Sequence, residues 1–268
     1  HITPYSFDVE LDDNRMKAEY ALSHQSAIYR ITYEADKPAY LIVNSRNGSI
    51  HANENFISGR QQLNDNTNVY VYIEAQEKPI SAGILENGTI ETSKDNAEGA
   101  NACAAWRFAD GTTTVNLRYG ISFISEEQAE KNLHRELKDY NIKALAEAGR
   151  QIWNETLGRI QVEGGTPEDK TKFYTGLYHA LLGRGIANDI NGQYIRHDKT
   201  IGQIPLDKNG IPLYSHHNTD GMWGGFWNLT QIWTLAYPEI FSSYIKSNLD
   251  FFKNSGWLHD GEAAGVYT

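Results

Sequence analysis

A change in the spacing of apolar residues at Ser125 constrains the fold of this chain more than any other feature. Before it, seven short runs rich in β-branched and aromatic residues are separated by turn clusters at 12–14, 46–48, 86–88 and 109–111. The runs cover residues 5–11, 16–23, 26–34, 39–45, 68–75, 102–109 and 114–123. Several alternate between apolar and polar residues, which is typical of half-buried strands. Regularly spaced short strands predict an antiparallel β-sandwich or barrel.

After Ser125 the apolar residues follow helical spacing. Residues 126–157 predict two helices broken near 139–141. Thr166 and Pro167, followed by two acidic residues, predict the start of a helix that ends by Gly183. Asn-Gly pairs at 191–192 and 209–210 predict tight turns, and a last helix is expected from Pro238 to Gly256.

Strands followed by helices predict two segregated modules. We expect a β-sandwich domain at 1–124, a helical linker at 125–163, and the N-terminal part of an α/α-barrel domain at 164–268. The predicted helices are too few to close such a barrel.

The net charge limits the partners of this chain. At pH 7 it is -10, which argues against nucleic acid or an anionic membrane, because both attract basic surfaces.

The single cysteine, Cys103, excludes an intrachain disulfide. No run of 18 apolar residues occurs, so no membrane span is predicted. The first residue is His1, not methionine, which indicates processing or excision from a longer chain.

The segment 214–239 is the predicted centre of function. It holds three of the six tryptophans, the adjacent histidines His216 and His217, and Asp220. Aromatic faces beside hydrogen-bonding groups are typical of sugar-binding sites, because a pyranose has an apolar face and hydroxyl groups. We therefore predict four substrate-binding residues, which are Asp220, Trp223, His216 and His217.

Each of these residues also has a structural interpretation. Asp220 suits a helix N-cap, and Trp223 suits an apolar core. His216 and His217 are adjacent, so their side chains diverge and lack metal-ligand spacing.

Neighbouring residues are assigned to the core. Helical spacing predicts one buried stripe formed by Phe226, Leu229, Ile232, Trp233 and Ala236. Trp227 is also predicted to lie in the core, and His179 is predicted to be a hydrogen-bonded interior histidine.

Two loops faintly resemble calcium-binding loops. Residues 189–192 and 207–210 each combine an aspartate with an Asn-Gly pair, but neither continues to a distal glutamate at the required spacing. We predict that both are turns and assign no metal ligand in this chain.

Three stretches resemble those of a known enzyme family. They are YGISFISEEQAEKNL at 119–133, WNETLGRI at 153–160 and KFYTGLYH at 172–179. In the same order follow DING at 189–192, Trp223, YPE at 237–239 and SGWL at 255–258. This series resembles the glycoside hydrolase family 92 α-mannosidases over nearly the whole chain.

The resemblance implies an exo-acting, calcium-dependent, inverting α-mannosidase, built from a β-sandwich and an (α/α)6-barrel catalytic domain. Inversion needs a carboxylic acid and a carboxylate base far enough apart to admit water. In the family the acid, the base and most calcium ligands lie further along the catalytic domain. We therefore expect the catalytic residues beyond Thr268, and no turnover by these 268 residues without the remainder of the protein. The resemblance also implies a mannose-containing glycan as substrate and a bacterial protein that is periplasmic, cell-surface or secreted.

One position departs from the family pattern. The family commonly has a Trp-Asp pair whose carboxylate grips the terminal mannose, whereas Trp223 is followed by Gly224 and Gly225. Either Asp220 replaces that carboxylate, or the pocket takes a different glycoside, or the protein binds carbohydrate without catalysis. A third class, an α/α-barrel phosphorylase, is disfavoured because residues 216–227 contain no lysine or arginine for phosphate.

Overall fold

The structure, a computed structural model, describes residues 1–12, 16–34, 36–64, 67–182, 185–218, 222–258, 262–263 and 266–267. Internal contacts separate two units, His1–Gln151 and Ile152–Thr268. The domain boundaries predicted at residues 124 and 163 stay predictions.

The described strands of the first unit form one ten-stranded antiparallel sheet. They are β1 Ser6–Leu11, β2 Met16–Leu22, β3 Ser26–Thr32, β4 Tyr40–Ala52, β5 Ile57–Asn64, β6 Thr67–Ala75, β7 Ser81–Glu86, β8 Thr89–Glu91, β9 Asn96–Arg107 and β10 Thr114–Ser122. The order across the sheet is β1-β2-β3-β10-β6-β5-β4-β9-β7-β8.

This sheet folds over its own interior face. The main core cluster includes Ala104, Trp106 and Val115, which are fully buried. Every member of the cluster belongs to a strand of the sheet or to a loop joining two of its strands. Strands of the same sheet therefore cover this face, which confirms the predicted β-sandwich.

Several features of the sheet differ from the sequence prediction. Residues 46–48 were expected to turn, but β4 continues through Asn47 at a positive φ of 49°. Gly48 allows this path, since a Cβ there would lie 1.8 Å from the carbonyl oxygen of Arg60. Strands β5, β7 and β8 were not predicted. In β5, Arg60 and its polar neighbours hide the apolar alternation. Residues 13–14 of the predicted turn at 12–14 lie outside the described residues.

Two helices follow the sheet, α1 Glu126–Glu136 and α2 Ile142–Leu157, with the predicted break between them. Ser125 caps α1, because its side chain accepts a hydrogen bond from the backbone of Gln128. Ala129 and Leu133 of α1 pack on Ile28 of the sheet in a second core cluster. Helix α2 runs across the boundary between the two units.

A partly buried ionic network joins α1 to the sheet. The guanidinium of Arg118 donates to Glu74 Oε2 from Nε at 2.9 Å and from Nη2 at 2.6 Å. His134 Nε2 lies 2.7 Å from Glu74 Oε1. Burial raises the pKa of Glu74, but hydrogen bonds from His134 and Arg118 outweigh burial and hold this pKa below its ordinary value.

The described part of the second unit is helical with short hairpins. Its elements are α3 Pro167–Leu181, β11 Gln193–Ile195, β12 Ile201–Gln203, α4 Met222–Phe226, α5 Leu229–Ala236, α6 Pro238–Ser255, β13 Glu262–Ala263 and β14 Val266–Tyr267. Thr166 and Asp169 form a capping box at the start of α3, and Gly256 ends α6 with a φ of 79°. Both helix ends were predicted.

One core cluster holds these helices together. Leu177 of α3, Trp233 of α5 and Tyr244 of α6 are buried against one another, together with Tyr237. The hydroxyl of Tyr237 donates to the carbonyl oxygen of Thr156 at 3.0 Å. Within the described residues, no helix is both long enough and apolar enough to span a bilayer.

We expect Glu74→Gln to lower the free energy of unfolding of the first unit by about 2 kcal/mol at pH 7, because it leaves the partly buried Arg118 guanidinium without its carboxylate. Urea unfolding followed by hydrogen exchange of β6 and β10 peptides measures this loss. The control is Glu127→Gln on α1, whose partner Lys131 is exposed, and its effect should stay within about 0.5 kcal/mol. Equal effects of the two substitutions would contradict the prediction.

Candidate functional site

Backbone hydrogen bonds hold the segment that carries the two predicted histidines. The carbonyl oxygen of His216 accepts from Ala187 N at 2.7 Å, and Asn218 N donates to Gly185 O at 3.0 Å. On the other side, His217 N donates to the Ser247 hydroxyl of α6 at 3.0 Å. Residues 216–218 are therefore fixed between residues 185–187 and α6.

The side chain of His216 is enclosed by aromatic rings. It is 1% exposed and stacks on Tyr194 of β11 with ring centroids 3.7 Å apart and an interplanar angle of 16°. The edge of Phe251 from α6 meets it at 5.0 Å and 79°. Asn188 Oδ1 accepts from the backbone N–H of His216 at 2.7 Å. The histidine thus joins the β11–β12 hairpin to α6.

This enclosure changes the acid-base behaviour of His216. Burial, followed by the charges of His217 and Arg196, lowers the pKa of His216 to about 3. The imidazole is therefore neutral at physiological pH, so it serves as a hydrogen-bonding group and not as a cation.

The structure locates the predicted substrate-binding residues in part. His216 and His217 are both buried. Asp220 lies outside the described residues, and of Trp223 only the position in α4 is described. Their role in binding a sugar stays a prediction, as does the alternative that Asp220 is an N-cap.

The predictions that Phe226 and Trp227 lie in the core were wrong. The chain turns at residues 227–228, so α4 ends at Phe226 and α5 begins at Leu229 with a new helical phase. Phe226 and Trp227 are consequently 67% and 69% exposed, and their rings meet at 6.0 Å and 66°. Trp233 is buried as predicted.

The prediction of an interior His179 was also wrong, because this residue is exposed. Leu177 is the buried residue of α3. A residue two positions further along an α-helix points to nearly the opposite side, which places His179 toward solvent.

A cleft of about 440 Å³ opens in the second unit. Its walls are formed by α3 residues and by residues of the α4–α5 region, namely Gly176, Ala180, Gly224, Gly225, Asn228, Leu229 and Ile232. A Cβ built on Gly176 or on Gly224 would meet no heavy atom within 4 Å. The cleft therefore has room for larger side chains at these two positions.

Both loops that faintly resemble calcium sites are turns, as predicted. Gly192 N donates to Asp189 O at 2.8 Å and Gly210 N donates to Asp207 O at 3.0 Å. The two glycines have φ values of 80° and 75°. Asp207 Oδ1 accepts from the backbone N–H groups of Asn209 and Ile211, so its carboxylate stabilises its own turn.

Sequence reasoning missed Tyr194 and Asn188 as partners of His216. The available signal was the turn at 191–192, after which Tyr194 pairs directly with Gly202 across the hairpin. A Cβ on Gly202 would lie 2.2 Å from the Tyr194 ring. The glycine therefore lets that ring lie across the partner strand.

Two family models match the sequence. Residues 1–122 match the glycosyl hydrolase family 92 N-terminal domain, and residues 128–268 match the glycosyl hydrolase family 92 catalytic domain. Among curated proteins, an uncharacterized secreted glycosidase from Arthroderma benhamiae is 30% identical over 78 residues. That alignment covers 28% of this chain and 10% of the relative.

Solved structures share the fold of the chain. An inverting mannosidase of family GH92 from Bacteroides thetaiotaomicron has a TM-score of 0.84 at 23% identity, over 97% of this chain and 36% of its own length. A GH92 α-mannosidase from the same organism has a TM-score of 0.86 at 22% identity, over 99% of this chain and 38% of its own. At these identities the likeness concerns the fold, and this chain spans less than two fifths of either protein.

We expect His216 to weaken the fold as the pH falls. The unfolded chain binds a proton at His216 near its ordinary pKa of 6.5, whereas the folded chain does so only near 3. Between these values, each pH unit removes up to about 1.4 kcal/mol of stability. Urea unfolding of the wild type and of His216→Phe at several pH values measures this slope.

The variant should lack this part of the pH dependence whatever its stability at pH 7. His179→Phe is the matched control, because that side chain is exposed and should keep the wild-type slope. If the free energy of unfolding had the same pH dependence in the wild type and in His216→Phe, burial would not suppress protonation of His216, and the prediction would be wrong.

Proposed function

Because this chain belongs to glycoside hydrolase family 92, we propose that the protein containing it removes terminal α-linked mannose from glycans by an inverting, calcium-assisted mechanism. The observation that carries the proposal is the match to both the N-terminal and the catalytic domain of the family, in that order along one chain. Structural relatives described as mannosidases support mannose as the sugar.

We propose that the segment from His216 to Trp227 contacts the terminal sugar. Asp220, Trp223, His216 and His217 are its proposed binding residues. The exposed rings of Phe226 and Trp227 support this assignment, because exposed aromatic faces suit the apolar face of a pyranose. The net charge of -10 is compatible with a neutral glycan and unfavourable for a polyanion.

Inverting hydrolysis divides the work between two carboxyl groups. A carboxylic acid protonates the leaving oxygen while a carboxylate on the opposite face takes a proton from the attacking water. We propose that this chain binds and orients the terminal sugar, and that the acid and base come from the part of the catalytic domain beyond Thr268.

Calcium assistance is supported by the family resemblance alone. Among the described residues, no group of three or more His, Cys, Asp or Glu side chains is arranged to hold a metal ion. The described part of this chain therefore does not fit a calcium site, and no step of the mechanism is assigned to the ion here.

The remainder of the same protein is the proposed partner of the second unit. Ile245, Leu249 and Phe252 lie one turn apart on α6 and are about half exposed. This apolar stripe lies beside the face of α6 that is already buried, which favours further helices packing there. We propose a bacterial periplasmic, cell-surface or secreted location, in line with the family resemblance.

A family member with altered glycoside specificity is the second candidate. Trp223 is followed by Gly224 and Gly225, whereas the family commonly has a Trp-Asp pair, and both glycines line the open cleft. Carbohydrate binding without catalysis is the third candidate and rests on the same departure.

We expect the full-length protein to release β-mannose from at least one α-linked mannobiose, and a calcium chelator to slow the release. Proton NMR of the reaction identifies both the linkage and the anomer first formed. Release of α-mannose would contradict inversion, and undiminished activity with chelator would contradict calcium assistance. Cleavage of other glycosides only would favour altered specificity, and binding without cleavage would favour the third candidate.

We expect Gly224→Asp in the full-length protein to lower KM for α-mannosides by about tenfold, the effect of one charge-assisted hydrogen bond of about 1.4 kcal/mol. The open space around this position accepts the side chain. Gly224→Asn tests whether the negative charge is needed. Gly176→Asp is the control for position, because it puts the same carboxylate on the opposite wall of the cleft. Weakened mannoside binding by Gly224→Asp alone would indicate that the glycine pair suits a different sugar.

A further inference from the structure

A small group of buried polar atoms beside the β11–β12 hairpin has no hydrogen-bonding partner among the described residues. The atoms are Nδ1 and Nε2 of His216 and the hydroxyl oxygen of Tyr194. The two side chains are 1% and 2% exposed. Buried polar atoms are nearly always paired, so such a group points to a bound partner.

The rings bring these atoms together. Tyr194 and His216 stack at 3.7 Å and 16°, so the polar atoms of both rings lie at the edges of one parallel pair. The backbone N–H and carbonyl of His216 are already bonded to Asn188 and Ala187. Phe251 adds only an apolar edge. The surrounding described groups therefore leave the ring nitrogens to another molecule or segment.

The chemistry of these atoms selects the class of ligand. The imidazole is neutral at physiological pH, since burial holds the pKa of His216 at about 3, so it offers one N–H donor and one bare acceptor nitrogen. The hydroxyl of Tyr194 can also donate and accept. A carboxylate only accepts and an ammonium only donates, so each would satisfy half of the group. A hydroxyl group can do both, because it can donate to or accept from one ring nitrogen of His216 while it bonds to the Tyr194 hydroxyl.

We propose that His216 and Tyr194 form a buried binding site for a hydroxyl group, supplied by ordered water or by a hydroxyl of the glycan. Buried waters typically make about three hydrogen bonds to groups of this kind. A sugar hydroxyl presents the same donor and acceptor pair. The water source is independent of the proposed mannosidase activity, and the glycan source rests on it.

The first test uses the full-length protein and removes one proposed hydrogen-bonding group at a time. Tyr194→Phe keeps the ring and should lower the urea midpoint by about 0.5 M, because the bound hydroxyl loses a partner. His216→Phe should also lower the midpoint at pH 7, and the double variant should fall little below the lower single variant, since both bind the same group. Tyr237→Phe gives the reference shift, because its hydroxyl bonds to Thr156. An unchanged or raised midpoint for Tyr194→Phe would overturn the proposal, since removing an unpaired buried hydroxyl is neutral or stabilising.

A high-resolution crystal structure of the wild-type full-length protein, alone and with mannose, tests the site without any variant. The expected result is an oxygen about 2.7–3.2 Å from a ring nitrogen of His216 and from the Tyr194 hydroxyl. Water in both crystals supports the first source, and a sugar oxygen in the mannose crystal supports the second. A protein side chain at this position, or no density there, would overturn the proposal. Neither readout requires turnover, so a failed mannosidase assay leaves this test intact.

Discussion

Removal of apolar side chains from water organises both units, and in each unit the packing depends on a few polar groups being paired. In the first unit the sheet covers its own interior face, where Trp106 is fully buried. Its indole N–H still donates to the carbonyl oxygen of Asn53 at 2.7 Å. Helix α1 covers part of the other face and approaches β10 so closely that a Cβ on Gly120 would lie 2.2 Å from the carbonyl oxygen of Ala129. His134 of the same helix bonds to Glu74 of β6, whose carboxylate also pairs with Arg118 of β10.

In the second unit, apolar packing is again combined with paired polar groups. The cluster around Trp233 and Tyr244 is largely apolar, but the surface of α6 that faces residues 215–217 includes Ser247, whose hydroxyl binds the backbone of this segment. His216 completes the attachment, because it stacks on Tyr194 and meets Phe251 of α6 edge-on. Residues 216–218 are therefore held from both sides, by residues 185–187 and by α6.

Local signals in the sequence predicted local structure well. The cap at Thr166, the turns before Gly192 and Gly210, and the end of α6 at Gly256 all follow from backbone preferences of single residues. Errors arose where packing overrides such preferences. Residues 46–48 carry a turn composition, yet pairing of β4 with β9 on both sides of Asn47 keeps the strand continuous. A two-residue turn rotates Phe226 out of the predicted stripe.

The sequence by itself determined that strands precede helices, the positions of several turns and caps, and the family, because hydrophobic period and short motifs are properties of neighbouring residues. Only the tertiary structure decided which polar residues are buried together. His216 lies 28 and 22 residues beyond Asn188 and Tyr194 in the chain, and it meets them through hairpin pairing and helix packing. Their burial sets the pKa of His216, and no local pattern encodes the distance between such residues.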